Sequence, residues 1–71
     1  MQTSTMRANG AAIRALRERT GISQANLART TDIRRETLNR IESGARPGTP
    51  AQIVAIAKAL SVPIVSIIHD R

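Results

Sequence analysis

Between positions 34 and 40 the chain carries Arg34, Arg35, Glu36, Asn39 and Arg40, side chains whose polar groups match the edges of nucleic-acid bases. The planar fork of Arg offers two parallel donors to the O6 and N7 of guanine, the Asn amide pairs with adenine, and a carboxylate accepts from the amino group of cytosine. One good bidentate pair discriminates against the wrong base by about 1–3 kcal/mol. At 3.6 residues per turn, positions 35, 36, 39 and 40 lie on one side of a helix, which makes Arg35, Glu36, Asn39 and Arg40 the candidates for reading bases. The same spacing also suits an ordinary ion pair between Glu36 and Arg40, and both uses stay open. Arg34 and Arg35 admit a plainer reading as a solvated charge patch. Cations at the positive end of a helix oppose its dipole by a few tenths of a kcal/mol each, so fold stability does not account for them, whereas a phosphate or a guanine does.

Other chemistries find little support. There is no Cys, which excludes disulfides, thiolate metal sites and thiol nucleophiles. The one His, His69, has neither a second His nor a Cys to share a metal with, and no Ser has the partners of a hydrolytic triad. The expectation is a non-enzyme with no metal and no cofactor. Eleven Lys and Arg against five Asp and Glu give a formal charge of +6 on 71 residues, a balance that favours a polyanionic partner. Ten of those eleven cations are Arg, the residue suited to phosphate and guanine. The apolar runs are far shorter than the roughly 20 residues of a membrane span, and the N-terminus lacks the apolar stretch of a signal peptide, so the reading is a cytoplasmic protein.

The elements that must position these side chains are helical. With no aromatic residue, the core has to be built from Ile, Leu, Val and Ala, a set that suits packed helices. Residues 1–8 are mostly polar and aperiodic and read as a flexible arm, leaving residues 9–71 as one domain. Asn9 caps a first helix carrying Ala12, Ile13 and Leu16, which Thr20 and Gly21 end. Ser23, with Ile22 before it and Leu27 after it, has the pattern of a capped and stapled second helix from about Gln24 to Thr30. Thr31, Asp32 and Ile33 form a tight turn, Asp being one of the few residues other than Gly that tolerates a left-handed conformation. A third helix follows from about Arg34 to Ser43, with Leu38 and Ile41 inward and Gly44 as its stop. Thr49, Pro50, Ala51 and Gln52 form a capping box with proline in the first turn, opening a fourth helix with Ile53, Ile56, Ala57 and Leu60 inward. Pro63 opens a short fifth helix through Ile68. The expected fold is therefore all-α, a compact domain of five helices.

Two helices joined by a turn of three or four residues present the second of them to a DNA groove. Through Ile13 to Arg17, Gly21 to Gln24, Leu27-Ala28, Ile33, Leu38, Ile41-Glu42, Gly44 and Ile56 to Leu60, the chain resembles the lambda-repressor and Cro-like (XRE-type) helix-turn-helix family along nearly its whole length. The resemblance implies a role for Gln24 at a backbone phosphate and in support of the reading helix. It also implies an internal ion pair between Arg17 and Glu42, and a phosphate contact from Arg46 in the loop after that helix. Ser23 and Arg34 complete the candidate backbone contacts. Two positions depart from the pattern, Asp32 where the turn usually has Gly and Arg34 where helix 3 usually has a Ser or Thr cap. The start of helix 3 is thereby left open, with Asp32 an alternative cap.

Ile64, Val65, Ile67 and Ile68 place more apolar surface on a short helix than one buried face can hide. They either pack on helices 1 and 4 or form a dimer contact. A two-fold dimer sets two reading helices roughly 34 Å apart and calls for a near-palindromic site. The expectation is a transcriptional regulator, a repressor that binds double-stranded DNA as a homodimer. The alternative is an antitoxin-like module that uses helix 5 to hold a toxin or another protein partner.

Overall fold

The computed structural model describes residues 6–69. Its elements are α1 (Gly10–Arg19), α2 (Gln24–Thr31), α3 (Arg35–Ser43), α4 (Pro50–Leu60) and a 3-10 turn (Ile64–Ile67). Three helices start where local capping chemistry dictates. The side chain of Asn9 accepts from the backbone N–H of Ala12 at 3.1 Å, and the Ser23 hydroxyl accepts from Asn26 N–H at 3.0 Å. In the Thr49 box, Gln52 N–H donates to the hydroxyl at 3.1 Å while the Gln52 side chain accepts from Thr49 N–H at 3.0 Å. Each satisfies donors that a helix start otherwise leaves without partners.

Helices α2, α3 and α4 end alike, on a residue in the left-handed region: Asp32 (φ 58°), Gly44 (φ 88°) and Ser61 (φ 58°). The next residue then donates its N–H back over the last turn, Ile33 to Ala28 O at 3.0 Å, Ala45 to Arg40 O at 2.8 Å and Val62 to Ala57 O at 3.0 Å. This closure satisfies the terminal carbonyls and turns the chain sharply. Asp32 is thus spent on ending α2 and does not cap α3. The residue before α3 is Arg34, with extended backbone and no capping hydrogen bond from its side chain, so α3 starts one residue later than its sequence pattern indicates.

The core consists of aliphatic side chains from every element. Ile13, Leu27, Leu38, Ile41, Ile53, Ile56 and Ile67 are fully buried, and Ala8, Ala28, Ile33, Ala57 and Leu60 join the same cluster. One approach is tight enough to require glycine. A Cβ on Gly10 would stand 2.7 Å from the carbonyl carbon of Glu42, and closer still to the carbonyl oxygens of Ile41 and Glu42. The start of α1 therefore meets the end of α3 backbone to backbone, an arrangement in which the two helix dipoles attract.

Two expectations are corrected at the chain ends. The expected fifth helix is a 3-10 turn, and Ile68 after it is extended (φ −124°, ψ 158°). Its β-branched residues lose side-chain freedom in an α-helix, and the backbone pairs elsewhere. Ala8 and Ile68 form an antiparallel bridge, flanked by hydrogen bonds from Asn9 N–H to Ile67 O at 2.7 Å and from His69 N–H to Arg7 O at 3.0 Å. Met6 to Ala8 are consequently not part of a free arm: Ala8 is buried in the core and donates its N–H to Pro47 O at 2.8 Å. The rest of the expected arm, residues 1–5, lies outside the described residues. No helix among the described residues is long and apolar enough to cross a membrane.

Candidate nucleic-acid interface

Helix α3 divides cleanly into two faces. Leu38, Ile41 and Glu42 are buried, while Arg35, Glu36, Asn39, Arg40 and Ser43 are exposed. The division follows from anchoring: Leu38 and Ile41 have no exposure at all, and at helical pitch their burial turns positions 35, 36, 39 and 40 outward. Helix α2 lies against α3, with Ala28 and Ile33 buried near the turn that joins them.

Beneath this face lies a polar network. Glu42, whose side chain is 4% exposed, receives Arg17 Nε on Oε2 at 2.8 Å and Arg17 Nη2 on Oε1 at 3.1 Å. The remaining Arg17 Nη1 donates to Ile22 O at 3.0 Å. The Glu42 hydrogen bonds, outweighing the opposing effect of burial, raise the Arg17 guanidinium above its ordinary pKa. Such a pair gains from bidentate geometry and from further hydrogen bonds to its polar atoms; here the geometry is bidentate, and Ile22 O and Gln24 Nε2 add bonds to Arg17 and Glu42.

The network then continues to the surface. Gln24 Nε2 donates to Glu42 Oε1 at 3.3 Å, and Gln24 Oε1 accepts from Arg35 Nε at 3.4 Å. This contact between the start of α2 and the start of α3 spans eleven positions, beyond the reach of any local pattern. Arg14, Arg17, Ser23, Gln24, Arg35, Asn39, Glu42 and Ser43 line one cleft, and an adjoining hollow is lined by Gln24, Arg35, Glu36, Asn39 and Arg40. The four base-reading candidates are thus together, with Gln24 and Ser23 beside them. Arg14 and Ser43 join the cleft without having been marked by the sequence. Arg14 is exposed, as is its pair with Glu18 at 3.2 Å.

The remaining candidates sit apart. Arg34 is exposed just ahead of α3. Arg46 lies in a separate hollow with Pro47, Gly48, Thr49 and Gln52, its backbone N–H donating to Arg40 O at 3.2 Å. Among the described residues the ion pairs are Arg14 with Glu18 and Arg17 with Glu42; Glu36 and Arg40 do not form one. Of the four residues read as a dimer contact, Ile67 is fully buried and offers no surface, Ile64 and Ile68 are half-buried against the core, and Val65 is 74% exposed. The 3-10 turn packs on α1 and α4, which accounts for the burial of Ile67. No cluster of three metal-ligating side chains occurs among the described residues.

Four helices, a turn that presents α3 outward and a polar, arginine-bearing surface upon it define a helix-turn-helix domain. The family model described as a helix-turn-helix domain matches residues 10–66, and the chain belongs to that family, in its lambda-repressor/Cro-like (XRE) branch. Among solved structures, the restriction-modification controller protein C.AhdI from Aeromonas hydrophila is 30% identical over 80% of this chain and 86% of its own, with a TM-score of 0.77. The wild-type controller protein C.Esp1396I is 28% identical over 79% of this chain and 73% of its own, with a TM-score of 0.71. PlcR from Bacillus thuringiensis, crystallised with the peptide PapR7 and DNA, is 29% identical over 83% of this chain but only 21% of its own, with a TM-score of 0.75. A search of curated protein sequences gives no match. The fold is that of DNA-binding transcription regulators.

Proposed function

We propose that the protein is a sequence-specific regulator that represses transcription by occupying a near-palindromic operator in double-stranded DNA as a homodimer. In this reading α3 enters the major groove. Arg35 and Arg40 donate to guanine, Asn39 pairs with adenine, and Glu36 accepts from cytosine. Ser23, Gln24, Arg34 and Arg46 hold the phosphate backbone and set the register. The observation that carries the reading is the exposed α3 face, on which Arg35, Glu36, Asn39 and Arg40 stand together with no ion pair between Glu36 and Arg40 to occupy them. Similarity to two restriction-modification controller proteins supports it. The dimer contact in this reading is Val65 with the exposed edges of Ile64 and Ile68, which a second copy covers across a two-fold axis.

The test is selection of bound duplexes from a random double-stranded library at near-physiological salt, read by sequencing. A two-fold-symmetric site with half-sites about one turn, roughly 34 Å, apart is the expected result. Failure to enrich any sequence overturns the reading.

A further inference from the structure

The peptide unit between Arg7 and Ala8 is gripped from both sides. Its N–H, that of Ala8, donates to Pro47 O at 2.8 Å, and its carbonyl, that of Arg7, accepts from His69 N–H at 3.0 Å. A peptide unit is planar, so these opposed hydrogen bonds fix its orientation and with it the Cα of Arg7. Ala8 is buried in the core and pairs with Ile68, and successive residues of paired, extended backbone alternate sides. Arg7 therefore leaves the segment away from the core, and it is exposed.

This anchor stands at one end of the α3 surface. Pro47 follows Arg46, whose N–H donates to Arg40 O at 3.2 Å, and Gly10 lies against the backbone of Ile41 and Glu42. Counted through the Ala8–Pro47 hydrogen bond, standard covalent lengths place the Cα atoms of Arg7 and Arg46 within about 11 Å of each other. Successive phosphates of one DNA strand are spaced about 3.4 Å along the helix axis, so the two guanidinium groups suit nearby phosphates of a single strand.

We propose that Arg7, held by its doubly bonded peptide unit, is a contact to the DNA backbone made from outside the helix-turn-helix, beside Arg46. The inference rests on α3 entering a DNA groove, as in the function proposed above. Its partner is a phosphate and not a base edge, because Arg7 stands on the paired segment and off the exposed face of α3, so it adds affinity at every sequence alike. A cation on a free arm loses backbone freedom when it binds, whereas the backbone of Arg7 is already fixed.

The test measures affinity for a duplex selected from the random library and for one of unrelated sequence, between about 50 and 200 mM salt. The proteins are the wild type, Arg7→Gln, Arg7→Lys, Arg46→Gln, the double glutamine variant and Lys58→Gln. Lys58 is exposed in the last turn of α4, a helix packed on α1, α2 and the 3-10 turn, and it controls for net charge. Arg7→Gln is expected to reduce the slope of log affinity against log salt by about one. The affinity lost across that salt range then shrinks by about threefold, both duplexes weaken by the same factor, and the circular-dichroism spectrum is unchanged. The double variant is expected to reduce the slope by about two, while Arg7→Lys and Lys58→Gln keep the wild-type slope. If Arg7→Gln keeps the wild-type slope, or if Lys58→Gln reduces it as much as Arg7→Gln does, the proposal is overturned while the reading of α3 stands. If the wild type shows no salt-dependent binding to either duplex, the function proposed above fails and this inference with it.

Discussion

Replacing Glu42 by Ala removes the acceptor for three donors at once, Arg17 Nε, Arg17 Nη2 and Gln24 Nε2. It leaves the Arg17 guanidinium, 11% exposed as a side chain, with the Ile22 carbonyl as its one remaining partner in the network. Breaking a buried pair from one side costs about 3–5 kcal/mol, because the surviving charge is not repaid for its lost water. A domain of 71 residues has a total stability of about 4–11 kcal/mol at typical values per residue, so Glu42→Ala should lose a large part of it. At about 4–8 °C per kcal/mol for a chain of this size, its Tm should fall by roughly 12–40 °C. Replacing both partners, Arg17→Met with Glu42→Leu, removes the charges together and should unfold within about 1 kcal/mol of the wild type, or later. With no Trp, Tyr or Phe in the chain, intrinsic fluorescence is silent, and far-ultraviolet circular dichroism under urea and heat is the assay. A loss below about 1 kcal/mol for Glu42→Ala, or equal losses for the single and double variants, would refute the view that the pair is held by burial and bidentate geometry. The arginine side of the pair adds no pH dependence in the working range. Its pKa is raised in the fold, so the stability it contributes is fully present below the unfolded value, itself far above neutral, and is lost only as pH rises through the raised one.

Gly10→Ala should be among the most damaging single changes despite adding one methyl group to a helix, since the methyl overlaps the backbone of Ile41 and Glu42; a loss of about 3 kcal/mol or more in urea denaturation is expected. Ser61→Gly should stabilise the fold by about 0.5–1 kcal/mol by relieving a left-handed residue at the end of α4, read as a higher Tm. Arg35→Ala with Arg40→Ala should leave the circular-dichroism spectrum and Tm nearly unchanged and reduce binding to the selected site to the non-specific level, measured by competition with random DNA. Val65→Asp places a charge on a side chain that is 74% exposed; it should leave monomer stability within about 0.5 kcal/mol and weaken self-association in sedimentation equilibrium.

Much of the fold was legible because the interactions that start and stop helices are local. Asn9, Ser23 and the Thr49–Gln52 box each act across three positions, and the left-handed turn at Asp32 follows from what an Asp side chain tolerates. The outward face of α3 was legible for a related reason: once Leu38 and Ile41 point inward, helical pitch assigns the other positions. The ion pair between Arg17 and Glu42 came by resemblance alone, since nothing in their separate surroundings links positions 25 apart.

What the tertiary structure decided is where separate segments meet. Gly10 reads in the sequence only as a poor helix former, and its role exists because the ends of α1 and α3 touch. Ala8 belongs to the core because residues 67–69 return beside it, and the same return turns an expected helix into a 3-10 turn with Ile67 inside. The contact from Gln24 to Arg35 likewise needs the α2–α3 turn to be closed first. Hydrogen-bonding preference and helical period act within about four residues and are written in the order of the chain. Packing between segments depends on which shapes fill one shared core, and that is determined only once all of them are in place.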